Sequence, residues 1–161
     1  MRIAISDANI AIDLFNIGAI DIFLSSDLFE IHITDLVLSE LHNNFLHDKF
    51  LSVTVKSFTP KEISEIYDIK QKCKVSIQDS SCIYYASKLK DAIILSGDRK
   101  LCNMARRKFD LEVRGTIFIL DELFKNKVIS KDECIDFLCK LKDVNPRQPV
   151  DIIDVLIRKL K

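Results

Sequence analysis

The sequence is poor in the residues that build several common kinds of functional site. It contains only three glycines, too few and too scattered for a Gly-rich phosphate-binding loop, so an NTP-binding enzyme is not expected. No apolar run approaches the roughly 20 residues that span a bilayer. Low-complexity segments, internal repeats and flexible linkers are also missing. These absences favour one globular unit with no membrane contact.

Cysteine usage excludes two further classes of protein. The chain has five cysteines, an odd number without the Cys-x-x-Cys spacing of zinc sites and redox motifs. We interpret them as reduced core thiols of a cytoplasmic protein. The first residues lead straight into a strand, which is not the pattern of a signal or transit peptide.

Charge of either sign is not in excess, because 24 basic and 24 acidic residues cancel. No global field therefore steers polyanions to this chain, and any affinity for nucleic acid must come from a local patch. The densest basic cluster is formed by Arg99, Lys100, Arg106, Arg107 and Lys108. This cluster either binds RNA phosphates or is a solvated helix face, and both interpretations stay open.

The residues that are abundant predict an α/β fold. With 161 residues, 48% of them apolar, the chain can form one domain with a substantial core. Strand and helix patterns alternate, which predicts a three-layer α/β/α architecture with a central, mainly parallel sheet. Predicted strands cover residues 2–6, 30–33, 51–55, 92–95 and 111–113. Predicted helices cover residues 9–15, 20–24, 35–45, 59–73, 79–90, 99–109, 116–126, 130–144 and 150–161.

We expect residues 1–129 to form the α/β domain and residues 130–161 a helical extension. The last helix carries an apolar stripe, formed by Ile153, Leu156, Ile157 and Leu160. A short helix cannot keep such a stripe in water, so the extension should pack on the domain or on a partner subunit.

Four acidic residues are predicted to converge at one edge of the sheet. Asp7 ends the first strand, and Asp98 follows the apolar strand 92–95. Asp79 lies in the first turn of its helix and in line with the inward face, and Glu40 flanks an apolar helical stripe. Ligands of open α/β sheets bind at the carboxyl ends of the strands, where these acids would meet.

Oxygen donors without a His or Cys cluster suit hard cations, Mg²⁺ or Mn²⁺, rather than zinc. Such a metal can activate water and stabilise a leaving oxygen in phosphodiester hydrolysis. Each acid also has a structural alternative. Asp98 can be a helix N-cap, and Asp79 can be an acid that the helix dipole favours in the first turn. Glu40 can be a solvated helix residue, and Asp7 can be a turn former. Their joint placement favours function.

At this point the sequence resembles the PIN-domain family, the nuclease fold found in the toxins of many prokaryotic toxin–antitoxin pairs. The matching segments, in order, are Ile-Ser-Asp7-Ala-Asn, Val-Leu-Ser-Glu40-Leu, Ile-Gln-Asp79 and Ile-Ile-Leu-Ser-Gly-Asp98-Arg-Lys-Leu. The resemblance covers about residues 1–126. It implies that Asp7, Glu40, Asp79 and Asp98 bind Mg²⁺ or Mn²⁺ and cut RNA. It also implies a homodimer and a small antitoxin partner.

The sequence departs from the family pattern after Asp98. Many PIN domains place another acid or Asn soon after that position, where this chain has Arg99 and Lys100, and Asn103 is a candidate substitute. The Ser96 and Thr116 hydroxyls are candidate neighbours of the metal. Two alternatives remain, namely a PIN-like module that binds RNA or protein without cutting, and a receiver-like signalling domain.

Overall fold

The computed structural model describes residues 1–161 and contains five strands and ten helices. The strands are β1 (Arg2–Ser6), β2 (Phe29–Thr34), β3 (Thr54–Lys56), β4 (Ile93–Leu95) and β5 (Glu112–Arg114). The helices are α1 (Ala8–Asn16), α2 (Ile20–Ser25), α3 (Asp35–Leu38), α4 (Asn44–Phe50), α5 (Pro60–Cys73), α6 (Ile77–Lys88), α7 (Arg99–Phe109), α8 (Thr116–Lys125), α9 (Lys131–Val144) and α10 (Val150–Leu160).

The sheet is parallel throughout, with strand order β3-β2-β1-β4-β5. Strand β1 is central and pairs with both β2 and β4, so that Ala4 lies between Ile31 and Ile93. Consecutive residues of β4 are fully buried, as expected for a strand covered on both faces. Helix α1 contacts α2, α4, α8 and α9, whereas α6 contacts α3, α5 and α7. These two groups form the outer layers, and the predicted α/β/α architecture is confirmed.

Side-chain caps explain where several helices begin. Thr59 accepts from the Glu62 backbone N–H at 3.3 Å while the Glu62 carboxylate accepts from the Thr59 N–H at 2.7 Å. Ser130 and Glu133 form the same reciprocal arrangement at the start of α9. Each pair satisfies two N–H groups that the helix itself leaves without partners. Both capping boxes predicted by spacing are therefore confirmed.

The predicted helix through Glu40 to Phe45 is wrong. Helix α3 ends at Leu38, and Glu40 lies in the turn that follows, with its N–H donating to the Val37 carbonyl at 3.0 Å. A new helix starts because Asn43 accepts from the Leu46 N–H, and such side chains compete with continuous helix formation. Phe45 consequently does not join an apolar stripe and is 75% exposed.

The third strand begins later than its alternating pattern predicts. Residues 51–53 form a turn after α4, and only Thr54–Lys56 pair with β2. The N–H groups of Leu51, Ser52 and Val53 donate back to carbonyls of α4, which removes them from the sheet. β3 is thus a short edge strand.

The C-terminal helices share the main hydrophobic core. Ile153 is completely buried, and Phe137 and Leu141 of α9 belong to the same 40-residue cluster as the sheet. Helix α9 contacts α1, α8 and α10. The division of the chain at residue 129 stays a prediction.

All five cysteines are free thiols. Cys73, Cys82 and Cys134 are buried and Cys102 is partly exposed, whereas Cys139 is exposed and does not fit the core role predicted for it. No helix has both the length and the apolar character needed to traverse a bilayer.

Candidate active site

Asp7 is held firmly at the carboxyl end of β1. Its Oδ1 accepts from the Ile10 N–H at 2.8 Å and caps α1, and its own N–H donates to the Leu95 carbonyl of β4 at 3.0 Å. The residue is 4% exposed. The pKa of Asp7 is raised to about 7, chiefly by burial and also by the charge of Asp79, although hydrogen bonds from Ser96 and Ile10 act to lower it.

Asp98 follows the neighbouring strand β4, separated from its last residue by Ser96 and Gly97. Ser6 of β1 is paired with Leu95 of β4, so the two strands end side by side. The Asp98 Oδ1 caps α7 by accepting from the Leu101 N–H at 2.8 Å, and the Asp98 N–H donates to the Ser96 hydroxyl at 3.1 Å. Capping and a role at the sheet edge are therefore compatible, because the cap uses one carboxylate oxygen.

Asp79 lies in the first turn of α6, as its sequence position predicts. Ser76 caps this helix by accepting from the Asp79 N–H at 3.0 Å. Burial is the largest cause of the raised Asp79 pKa, and the Asp98 charge adds to it. Hydrogen bonds from Ser76 and the positive charge of Lys100 lower the same pKa.

Glu40 approaches the other acids from the turn after α3 and is exposed. Partial burial raises its pKa first, the Asp79 charge raises it further, and His42 lowers it. The charge of Asp79 thus raises the pKa of both Glu40 and Asp7, and the charge of Asp98 raises the pKa of Asp79. The structure places all four acids within electrostatic reach around Asp79.

The chemistry of these donors fits a hard divalent cation, since all four are carboxylates. However, no group of three or more His, Cys, Asp or Glu side chains is arranged closely enough to hold a metal ion. The four-ligand metal site therefore stays a prediction. Asp7 and Asp98 are fixed by their caps, whereas Glu40 belongs to an exposed turn and has the least constrained side chain.

Of the two candidate hydroxyls, only Ser96 lies at this group of acids. It is buried and hydrogen-bonds to Asp98 and Asp7. Thr116 instead donates to the Asp13 carboxylate at 3.1 Å. Asn103, the candidate substitute, is exposed on α7 and is not among the residues around the acids.

Asp13 is a functional candidate that the sequence analysis missed. It is 7% exposed, and it accepts hydrogen bonds from Asn145 at 3.0 and 3.1 Å and from Gln148 at 3.0 Å, besides the bond from Thr116. The available signal was an isolated carboxylate in the apolar helical stretch Ala8–Asn16. Its partners lie more than 100 residues away in sequence, so spacing alone could not identify them.

A cleft of about 1360 Å³ opens beside Asp98, between α7, α8 and the segment that leads into α10. Asp98 is the only one of the four acids that lines it. Arg99 and Arg106 of the predicted basic cluster line the cleft as well, whereas Lys100, Arg107 and Lys108 do not. The predicted basic cluster is therefore split, because two of its members line the cleft and the other three lie outside it.

The parallel sheet with carboxylates beyond the ends of adjacent strands defines an α/β protein with an acidic edge. A family model described as a PIN domain matches residues 3–161, and the chain belongs to the PIN-domain family. PIN domains are generally nucleases. The crystal structure of PAE2754 from Pyrobaculum aerophilum has a TM-score of 0.58 to this chain at 17% identity, covering 76% of this chain and 96% of that one. This likeness shows a shared fold.

A segment of 80 residues is 32% identical to the ATP-dependent DNA helicase CHL1 of Yarrowia lipolytica (strain CLIB 122 / E 150). The match covers 47% of this chain and 10% of the helicase, so the chain aligns with about a tenth of that relative's length.

Proposed function

We propose that this protein is a metal-dependent endoribonuclease whose site is formed by Asp7, Glu40, Asp79 and Asp98. The observation that carries the proposal is electrostatic. Burial and mutual repulsion raise the pKa of Asp7, Glu40 and Asp79. Acids gathered in this way destabilise one another, and a bound cation would remove the cost. Functional sites are where such arrangements are concentrated.

Mg²⁺ or Mn²⁺ held by these carboxylates would activate a water molecule and stabilise the leaving oxygen of a phosphodiester. The protein's own contribution is to hold the donors in place. Asp7 and Asp98 are fixed by helix caps at the ends of adjacent strands, and Asp79 is fixed by Ser76. Lys100, whose charge lowers the pKa of Asp79, would favour the ionised form that a cation needs.

The proposal extends to the biological setting, where its support is family resemblance. Many PIN-domain proteins are toxins controlled by a small antitoxin, and they act as homodimers. We propose the same role and assembly here. A PIN-like module that binds RNA without cutting it is the alternative that an activity test must separate.

The test is cleavage of single-stranded RNA with Mg²⁺ or Mn²⁺. We expect wild-type activity, loss of activity in EDTA, and a decrease by orders of magnitude in Asp79→Asn and Asp98→Asn. Asparagine retains the shape and capping ability of aspartate but removes the negative charge that a hard cation requires.

Asp132→Asn is the matched control, because Asp132 is also a first-turn helical acid but lies exposed on α9. It should cleave RNA as the wild type does. Cleavage that persists in EDTA would refute the metal-dependent mechanism. RNA binding without cleavage under any metal condition would favour the silent module.

A further inference from the structure

The cleft beside Asp98 has two walls. One belongs to the core domain, by which we mean residues 1–129, and the other belongs to the C-terminal segment within residues 130–161. Helices α7 and α8 supply the first wall, and residues Asn145–Pro149 with Ile152 and Leu156 supply the second. Its volume of about 1360 Å³ exceeds the range of about 300–1000 Å³ typical of small-molecule sites. A segment of a polymer is a better match to that size.

Arginine is the dominant charged residue of the cleft. Arg99, Arg106, Arg114 and Arg147 line it. Arg99, Arg106 and Arg147 have no carboxylate within 4.0 Å, although the cleft also contains Asp98. Of the other two acids, Asp121 pairs with Lys125 at 2.5 Å, whereas Asp13 accepts hydrogen bonds from three neutral side chains and has no ion-pair partner. The three arginines without an ion pair therefore outnumber the two unpaired aspartates, Asp13 and Asp98, and the cleft has an excess of positive charge.

Two of these arginines are held in position by the core domain. The Arg106 Nη2 donates to the Val113 carbonyl at 2.6 Å, which ties the guanidinium to β5. The Arg114 guanidinium lies 5.2 Å from the centre of the Phe118 ring and pairs with Glu112 at 2.8 Å. The 5.2 Å distance is that of a cation–π contact. Arginine and aromatic side chains are also the groups on which unpaired nucleic-acid bases stack.

The second wall is anchored by the buried carboxylate of Asp13. Asn145 and Gln148 both donate to it, so the two residues that bracket Pro146 and Arg147 are fixed to α1. The Arg147 N–H also donates to the Asn145 side-chain oxygen at 3.1 Å. This anchoring holds the backbone of Arg147 at the cleft that Arg99 and Arg106 of α7 also line.

We propose that this cleft binds a single strand of RNA, with Arg147 of the C-terminal segment and Arg99 and Arg106 of α7 contacting phosphates on either side. The proposal rests on the proposed function for its choice of RNA, and it assigns the C-terminal extension to substrate binding. The strand leads to Asp98, the one proposed catalytic acid that borders the cleft.

An acidic peptide would also satisfy the positive charge, but the geometry favours a nucleic acid. Arginine forks on both walls match phosphates repeated along a strand, because the planar guanidinium binds phosphate through two parallel hydrogen bonds. Arg114 and Phe118 both line the cleft and carry planar groups on which a base can stack, whereas an aspartate or glutamate side chain has no ring to stack on them.

The experiment measures binding of a fluorescein-labelled single-stranded RNA by anisotropy in EDTA, where cleavage is suppressed. Arg147→Ala and Arg99→Ala should each weaken binding several-fold. Each should also reduce the slope of log affinity against log salt by about 0.7, the value for one phosphate contact on a single strand. Matched controls remove a positive charge from exposed positions outside the cleft and outside the basic cluster of α7. Arg158→Ala and Lys159→Ala, both on α10, should bind RNA like the wild type.

Equal losses in all four variants would overturn the proposal, because binding would then follow total charge rather than the cleft. The proposal would also be overturned if an unlabelled poly-glutamate peptide bound more tightly than RNA and if that binding were lost in Arg147→Ala. Failure of the nuclease proposal looks different: RNA binding through Arg147 and Arg99 would persist, but the protein would not cleave with any metal. Conversely, if Arg147→Ala cleaved RNA with metal and bound it with wild-type affinity, the RNA-binding role of the cleft would be refuted and the nuclease proposal would stand.

Discussion

Replacing Asp7 with asparagine should stabilise the metal-free protein, and the gain should depend on pH. Burial raises the pKa of Asp7 from 3.8 to about 7. Asparagine has nearly the same shape and caps helices as well as aspartate, so the hydrogen bond from the Ile10 N–H can remain. The substitution therefore mainly removes a charge that is costly to bury.

The sign of the pH dependence follows from proton linkage. Between pH 3.8 and about 7 the unfolded chain has lost the Asp7 proton while the folded protein keeps it, so wild-type stability falls as pH rises. Above the folded pKa both states are ionised and the loss is complete. A shift of roughly three pKa units corresponds to about 4 kcal/mol at about 1.4 kcal/mol per unit. The part of that loss between about pH 5.5 and 8 is about 2 kcal/mol.

Urea unfolding in EDTA, followed by circular dichroism at these two pH values, tests the argument. The stability difference between Asp7→Asn and wild type should widen by about 2 kcal/mol on going to the higher pH. Asp132→Asn, which removes an exposed charge, should show no such widening. Adding Mg²⁺ should then stabilise the wild type more than Asp7→Asn, because a ligand of the folded state acts by mass action. A constant difference between the two pH values would refute the buried-charge reasoning.

Three further substitutions test how the C-terminal extension is attached. Asp13→Ala should lower the unfolding free energy by about 3 kcal/mol, because the fully buried Thr116 hydroxyl loses its partner along with two amides; a loss below about 1 kcal/mol in urea unfolding would contradict this. Ile153→Ala should cost about 3 kcal/mol by leaving a cavity, whereas Ile152→Ala, at a position 54% exposed, should cost less than about 1 kcal/mol. Equal thermal shifts for these two isoleucine variants would show that α10 is not docked through its buried face.

The candidate site was only partly accessible from the sequence. Asp7, Asp79 and Asp98 were found because each follows a short-range pattern, a strand end or a first helical turn, and each lies where its pattern predicts. Glu40 was found from its place beside an apolar helical stripe, but the helix that carries this stripe was predicted too long. Helix α3 ends at Leu38, before Glu40, and α4 begins at Asn44 after the Asn43 cap, a break that apolar spacing does not reveal.

The sequence by itself determined the alternation of strands and helices, the capping boxes and the order of the acids. These features depend on neighbours within about four residues, where spacing fixes which groups can meet. Only the tertiary structure decided that Asp13 anchors Asn145 and Gln148, and that Arg147 lines the same cleft as Arg99 and Arg106 of α7. The reason is that packing of the sheet and its helix layers, rather than local geometry, brings residues more than 130 positions apart within hydrogen-bonding distance.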